Sequence, residues 1–94
     1  MDDKILMDTI LRVERMEYSF DTLQKAVSED PEAVKSDPAL RALLRGLIWY
    51  YEGGQWLKDY ETDEKGLLPV GLKRGVLSED GVYDLLAALD GIVE

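Results

Sequence analysis

Residues 55–86 read QWLKDYETDEKGLLPVGLKRGVLSEDGVYDLL and hold the densest run of special residue types in the chain. An aromatic anchor and an acidic run come first, followed by a connection with Gly and Pro, a Lys-Arg-Gly turn and a helix start. The sequence on either side has the spacing of plain amphipathic helix. We therefore interpret this stretch as the part that distinguishes the protein, packed on a platform of N-terminal helices.

Two short helices are predicted inside this stretch. The first covers residues 55–64, with apolar side chains on one side and acids mostly on the other. The second begins at an N-cap, Ser78, and carries an apolar stripe for the core. Residues 67–70 are apolar but contain a proline, and because no second strand exists to pair with them we expect extended chain against the core. The apolar residues of the two helices are Trp56, Leu57 and Tyr60, and Val82, Leu85, Leu86, Leu89, Ile92 and Val93.

The N-terminal platform is predicted to be two longer helices. Residues 3–27 carry apolar side chains at spacings of three and four without any Gly or Pro, which indicates one amphipathic helix. Asp-Pro steps stop this helix and start the next at Pro38, which ends at the Gly-Gly pair of residues 53–54. Between the two prolines, residues 32–35 are either one helical turn or an irregular loop. The apolar stripes are Leu6, Ile10, Val13, Met16, Phe20, Leu23 and Val27, and Leu40, Leu43, Leu44, Leu47, Ile48 and Tyr51.

The chain is therefore predicted to be all-α, a small helical bundle formed by one domain, residues 1–94. A short connection makes the two longer helices an antiparallel hairpin, and two shorter C-terminal helical elements pack across it. Self-association stays open as an alternative, because so long an apolar stripe can also pair with its own copy in a homodimer. The residues predicted to pack the short elements on the hairpin are Trp56, Tyr60, Val82, Leu85 and Leu89.

Composition excludes several kinds of chemistry. The chain contains no Cys and no His, which removes disulfides, thiolate zinc sites and the commonest general base. The formal net charge of −9 opposes direct nucleic-acid binding, because phosphate contacts need Lys and Arg, and it favours a basic partner. The first residues lack the basic segment of a signal peptide, and no window is apolar enough for a membrane span. We expect a cytoplasmic protein that binds no membrane.

Several short motifs give the chain a resemblance to a known family. A tyrosine pair, residues 50–51, precedes a Trp-Leu-x-Asp-Tyr-Glu-x-Asp-Glu-x-Gly segment over residues 56–66, and a Leu-Pro step follows. Residues 72–80 then read Leu-Lys-Arg-Gly-Val-Leu-Ser-Glu-Asp before a Tyr-x-Leu-Leu, and residues 12–17 fit an Arg-x-x-x-Met-Glu pattern. In these motifs the chain resembles a small bacterial family known only as a domain of unknown function. The resemblance implies a compact helical protein of bacterial origin, with no assigned activity.

The acidic run that begins at Asp59 is the candidate for a metal site. Its Asp-x-Glu-x-Asp alternation is similar to a calcium loop, which needs Gly at the sixth position and a bidentate Glu at the twelfth. Those positions hold Glu64 and Val70, so the loop motif fails, and a magnesium site on two carboxylates is the weaker alternative. We interpret the acids as a solvated helix face partly paired with Arg or Lys. We expect no metal, no cofactor and no catalytic residue, so the chain is predicted not to be an enzyme.

Lys73 and Arg74 form a basic spot in an acidic chain. Arg is suited to bidentate contact with a carboxylate or phosphate, so the pair is a candidate docking point for a partner. The alternative is internal, with the two side chains capping helix carbonyls or pairing with nearby acids. The acids considered for that pairing are Asp59, Glu61 and Asp80.

The aromatic residues supply the other candidates for partner binding. Trp and Tyr are enriched in interface hot spots, but they also fill the cores of small proteins. Trp49 and Tyr50 lie off the apolar stripe of their helix, and we expect at least one of them to be partly exposed. The candidate protein-binding residues are Trp49, Tyr50, Trp56, Lys73 and Arg74.

The predicted function is protein binding by a small non-catalytic cytosolic adaptor or regulator, whose partner and pathway the sequence does not name. The missing catalytic residue types, the aromatic residues and the basic spot favour this hypothesis. The alternative is an acidic mimic of nucleic acid that inhibits a DNA- or RNA-binding protein such as a nuclease. The alternative predicts carboxylates clustered on one face and binding that weakens steeply with salt.

Overall fold

The longest helix, α1, covers Asp3–Glu29 in a computed structural model that describes residues 2–93 and the side chains of residues 2–89. The Asp2 carboxylate caps it by accepting a hydrogen bond from the Lys4 N–H at 3.0 Å. The helix ends where Asp30 precedes a proline, because a residue in that position is pushed out of helical backbone conformation. The long amphipathic helix predicted at the start of the chain is confirmed.

The two Asp-Pro steps each start a helix. The first starts α2, Pro31–Ser36, so the segment left open as a turn or a loop is helical, and its Val34 is fully buried. The second starts α3, Pro38–Glu52, where the Asp37 carboxylate accepts a hydrogen bond from the Ala39 N–H at 2.8 Å.

The fourth helix, α4, covers Gln55–Glu64, as predicted. Glycines define both of its ends: Gly54 precedes it with φ 94° and Gly66 follows it with φ 71°. Backbone with positive φ is accessible to Gly at little cost and strained for other residues. The two sharp turns therefore fix where α4 begins and ends.

The connection to the last helix is irregular. Leu68 is buried against the core as expected, whereas Val70 is fully exposed. A 3-10 turn, Gly75–Leu77, follows, and its Val76 and Leu77 are buried.

The last helix, α5, covers Gly81–Val93. The N-cap predicted at Ser78 is wrong, because the helix begins three residues later; the Ser78 N–H donates to the Gly75 carbonyl at 3.1 Å at the end of the 3-10 turn. The predicted core residues Ile92 and Val93 lie outside the described side chains.

The helices pack around α1, which contacts α2, α3, α5 and the 3-10 turn. The chain runs from the C-terminal end of α1 through the short α2 into α3, so α1 and α3 form the antiparallel hairpin. Helix α4 packs on α3 and on the 3-10 turn, and α5 packs on α1, α2 and the 3-10 turn. The molecule measures 42 × 24 × 22 Å, and α1 at about 1.5 Å per residue runs nearly its full length. The prediction of an all-α hairpin with short elements across it is confirmed.

The buried apolar side chains form one cluster to which every helix except α4 contributes, and α4 packs its half-buried Trp56 against it. Three residues of the α1 stripe are fully or nearly fully buried, and the other four are half-buried and pack against the same cluster. Val82, Leu85 and Leu89 are buried as predicted, and Trp56 and Tyr60 are half-buried. Within residues 2–93, every helix is too short or too polar to cross a bilayer. The buried apolar residues are Val13, Phe20, Leu23, Val34, Leu44, Leu47, Tyr50, Leu68, Val76, Leu77, Val82, Leu85 and Leu89.

Candidate functional site

Asp59 was predicted to lie on a solvated acidic face partly paired with Arg or Lys, and it is paired with an Arg but is not solvated. Its side chain is 1% exposed and accepts three hydrogen bonds inside the bundle. Arg12 donates two of them, from Nε at 2.9 Å and from Nη2 at 2.6 Å, and the Tyr50 hydroxyl donates the third at 2.7 Å. These three residues come from α4, α1 and α3, so one carboxylate joins three helices.

The charges of this cluster are matched internally. The hydrogen bond to Asp59 raises the pKa of Arg12, with the Coulomb attraction of the same carboxylate acting in the same direction. Burial raises the pKa of Tyr50, and the hydrogen bond to Asp59 raises it further. The guanidinium therefore stays charged and the phenol stays neutral. All three side chains serve the packing of the bundle.

The backbone of Val76 is held by polar side chains on both sides. Its N–H donates to Glu17 Oε1 at 2.7 Å, and its carbonyl accepts from Trp56 Nε1 at 2.8 Å. The Trp56 ring also packs edge-on against Tyr51 and stacks on Tyr60, with ring centroids 5.1 Å apart in both pairs. Trp56, a predicted binding residue, thus ties α4 to the 3-10 turn.

Sequence reasoning missed Glu17, although a signal was available. Glu17 lies four residues after Val13 and three before Phe20, which places it inside the apolar stripe of α1. A carboxylate in such a position is buried and needs a donor, and here the donor is the backbone N–H of the 3-10 turn.

Arg74 contacts the protein's own groups. Its guanidinium pairs with the Asp63 carboxylate and donates to the Pro69 carbonyl, and its Nε donates to the Leu72 carbonyl at 3.2 Å. The internal alternative therefore describes Arg74, although the acid it pairs with, Asp63, was not among those considered. The residue holds the connection after α4 in place.

Lys73 points to the surface above α1. Its side chain is 80% exposed, and Nζ lies 3.5 Å from the Asp21 carboxylate. The groove of about 340 Å³ that it borders is also lined by two glutamates, Glu14 and Glu17. Lys73 therefore sits among acids, and with Arg74 paired internally the basic spot predicted from the sequence is largely neutralised.

Trp49 and Tyr50 are neighbours that point in opposite directions. Tyr50 is 3% exposed, whereas Trp49 is 81% exposed. The prediction that at least one of the two is exposed is confirmed for Trp49. Arg41 and Arg45 precede Trp49 at spacings of four along α3, and both are exposed. Residues four apart share one face of a helix, so an aromatic ring and two guanidinium groups line the outer face of α3.

A groove of about 410 Å³ lies beside this face, between α2 and α3. Leu44 and Ile48 supply its apolar lining, and Lys35 of α2 joins the two arginines at its edge. Sequence reasoning missed this basic groove, although α3 has no acidic residue before Glu52. The lining residues are Lys35, Arg41, Leu44, Arg45 and Ile48.

Comparison with known proteins gives one match. A family model described as Domain of unknown function (DUF4298) matches residues 13–94, all but the start of the chain. The chain belongs to the DUF4298 family. No curated protein matches it, and no solved structure does. The resemblance to a domain-of-unknown-function family that the sequence motifs indicated is confirmed.

In this DUF4298 chain, several motif residues that carry the resemblance contact one another inside the bundle. Tyr50 and Asp59 share a hydrogen bond, Trp56 holds the Val76 carbonyl, and Arg74 pairs with an acid of α4. Among the residues whose side chains are described, no three His, Cys, Asp or Glu residues converge as a metal site would require. On the outer face of α3, by contrast, the exposed Trp49 and the two arginines beside it are not used in packing the bundle.

Proposed function

We propose that this protein is a small cytoplasmic adaptor or regulator of bacterial origin, without catalysis of its own, which binds a protein partner through the outer face of α3. The observation that carries the proposal is the 81% exposure of Trp49 beside Arg41 and Arg45. Trp and Arg are the residue types most enriched in interface hot spots. The absence of His and Cys from the sequence is consistent with a binding role.

The size of the exposed ring supports docking through Trp49. A Trp side chain presents roughly 200 Å² of surface, of which about four fifths is open here. Covering that area at about 25 cal/mol per Å² favours association by about 4 kcal/mol, before the costs of ordering are subtracted. Two adjacent guanidinium groups add charge and geometric specificity to that contact.

The proposed surface keeps one of the five residues predicted from the sequence. Trp49 remains, whereas the polar groups of Tyr50, Trp56 and Arg74 are bonded within the protein. Lys73 is exposed, but it faces the Asp21 carboxylate on another element. The proposed surface instead includes two residues that were not predicted, Arg41 and Arg45.

The test is chemical cross-linking of the purified protein in a lysate of its source cells, comparing Trp49→Ala with Tyr18→Ala. Tyr18 is a matched control, because it is 65% exposed on α1 and borders a groove to which α3 contributes no residue. Both variants are first shown to be folded by circular dichroism. We expect the partner to be retained by Tyr18→Ala and lost by Trp49→Ala.

A partner that Trp49→Ala retains in full would refute docking through α3. If that partner were a nucleic-acid-binding protein released by moderate salt, the result would favour the alternative of an acidic mimic, which the net charge of −9 supports.

A further inference from the structure

We infer, building on the proposed binding function, that the groove between α2 and α3 takes an acidic peptide segment that carries an aliphatic side chain. The segment belongs to the protein partner that covers Trp49. The charges and the apolar floor of the groove indicate the chemistry of that partner, which the exposed tryptophan alone does not.

The charges at the groove are the first support. Lys35, Arg41 and Arg45 border it, and none of the three forms an ion pair with any described residue. The nearest acid in sequence to Arg41 is Asp37, whose carboxylate already caps α3. Because acids outnumber bases by 20 to 11 in this chain, three neighbouring cations with no acid paired to them among the described side chains are unusual. Carboxylates of a partner carry the opposite charge to these three cations and have the geometry to accept their hydrogen bonds.

The apolar floor of the groove is the second support. Leu44 is buried and belongs to the core, while Ile48 is half-buried and packs against it, so a bound side chain would extend existing apolar packing. A groove of about 410 Å³ has room for a side chain of the size of Leu together with flanking backbone.

The charge outside the groove selects a peptide over nucleic acid. A nucleic acid carries one phosphate per nucleotide, and it would run from the groove onto a surface whose overall charge is −9. A short acidic peptide can place two or three carboxylates against the cations and then continue with neutral residues. The groove also continues into the proposed docking face, because Trp49 follows Arg45 by one helical turn.

The test uses a displayed library of random peptides about three helical turns long, roughly 11 residues, selected against the wild-type protein. The net charge of −9 by itself would enrich basic peptides. The groove predicts the opposite outcome, enrichment of peptides with Asp or Glu around an aliphatic residue. Enrichment of basic or neutral peptides overturns the inference.

The enriched peptide is then titrated against two charge-reversed variants, Arg41→Glu/Arg45→Glu and Arg15→Glu/Lys25→Glu. The two have the same net charge, and the second pair lies exposed on α1. Loss of two charge-assisted hydrogen bonds should weaken binding about 100-fold in the groove variant. Little change is expected in the α1 variant. Equal weakening in both would show that only overall charge matters and would overturn the inference.

Folding is checked by circular dichroism, and Arg41→Gln/Arg45→Gln replaces the Glu variant if that variant is unfolded. The failure of the acidic-peptide inference and the failure of the proposed function give different results. Partner capture that needs Trp49 but not the arginines would leave the proposed function standing and overturn the acidic-peptide inference. Groove-dependent binding of acidic peptides, with partner capture unaffected by Trp49→Ala, would overturn docking through the tryptophan and support the groove.

Discussion

Replacing Asp59 by Ala removes the one acceptor that Arg12 and Tyr50 share. In the folded protein the carboxylate is 1% exposed and takes hydrogen bonds from Arg12 Nε, Arg12 Nη2 and the Tyr50 hydroxyl, at 2.9, 2.6 and 2.7 Å. Without it, a guanidinium and a phenol are left inside the contact between α1, α3 and α4. We expect Asp59→Ala to be among the most destabilising single substitutions in the chain.

The loss of stability in Asp59→Ala depends on how much water can hydrate each remaining partner in the folded variant. Breaking a fully buried ion pair by removing one member costs about 3–5 kcal/mol. The Arg12 side chain is 22% exposed, so part of its hydration returns and the lower end of that range applies, about 3 kcal/mol. At roughly 0.05–0.15 kcal/mol per residue, a domain of this size has about 5–14 kcal/mol of total stability. Asp59→Ala therefore removes a large fraction of it.

Urea denaturation followed by circular dichroism measures the effect. With a slope of about 1.5 kcal/mol per M, a loss of about 3 kcal/mol lowers the midpoint by about 2 M. Glu61→Ala is the matched control, because Glu61 lies two residues away on the same helix and is exposed. Its substitution should change the free energy of unfolding by less than about 0.5 kcal/mol.

The double variant Arg12→Met/Asp59→Leu separates the ion pair from simple packing. Replacing both partners with apolar residues leaves no buried charge unpaired, so the double variant should be more stable than Asp59→Ala. The reasoning is refuted if Asp59→Ala and Glu61→Ala cost the same. It is also refuted if Arg12→Met/Asp59→Leu loses the sum of the two single changes, since the partners would then act independently.

Three further predictions concern other parts of the fold. Arg74→Ala should cost about 1–2 kcal/mol in urea denaturation, because Arg74 is paired inside the protein, whereas Lys73→Ala should cost less than about 0.5 kcal/mol. Burial raises the pKa of Tyr50, so the folded state keeps a proton that the unfolded chain loses above its ordinary pKa of 10.0. Stability should therefore fall as pH rises above that value, and Tyr50→Phe should reduce the slope by up to about 1.4 kcal/mol per pH unit in denaturation series at alkaline pH. Gly54→Ala should lower the thermal midpoint, because φ there is 94° and an L-residue costs about 1–2 kcal/mol in that region, while Gly46→Ala inside α3 should raise it.

Local signals were sufficient to predict the bounds of α3 and α4 and the position of the turn that starts α2. The Asp-Pro steps act through a proline that fixes its own backbone and restricts the residue before it, so the starts of α2 and α3 need no tertiary information. Gly54 and Gly66 take positive φ, and α4 has the bounds predicted from the sequence. Local reasoning failed at the start of α5. Ser78 fits an N-cap, but the 3-10 turn ends at Leu77 and α5 begins only at Gly81, so Ser78 lies in the connection between them.

The polar interior could not be predicted from local pattern, because its partners are far apart in sequence. Arg12 and Asp59 are separated by 47 residues, and Glu17 and Val76 by 59. Asp59 lies three residues after Trp56, which places both on one helix face, but the alternating acids around Asp59 led to the prediction of a solvated face. Only the packing of α4 against α3, with α1 near enough for Arg12 to reach, decides that this acid is buried while Glu61 is exposed.

The distribution of polar contacts bears on where function should be sought in the DUF4298 family. A motif can stand out because it builds the fold or because it binds something, and the two cases differ in whether its polar atoms have partners within the protein. Here the distinctive polar groups of Trp56, Asp59 and Arg74 all have such partners. These polar groups bond within the bundle, so the motif residues account for the fold before they account for any binding. Trp49 and Arg45 have their side chains in solvent and contribute little to packing, which is why the outer face of α3 is the surface on which to test for a partner.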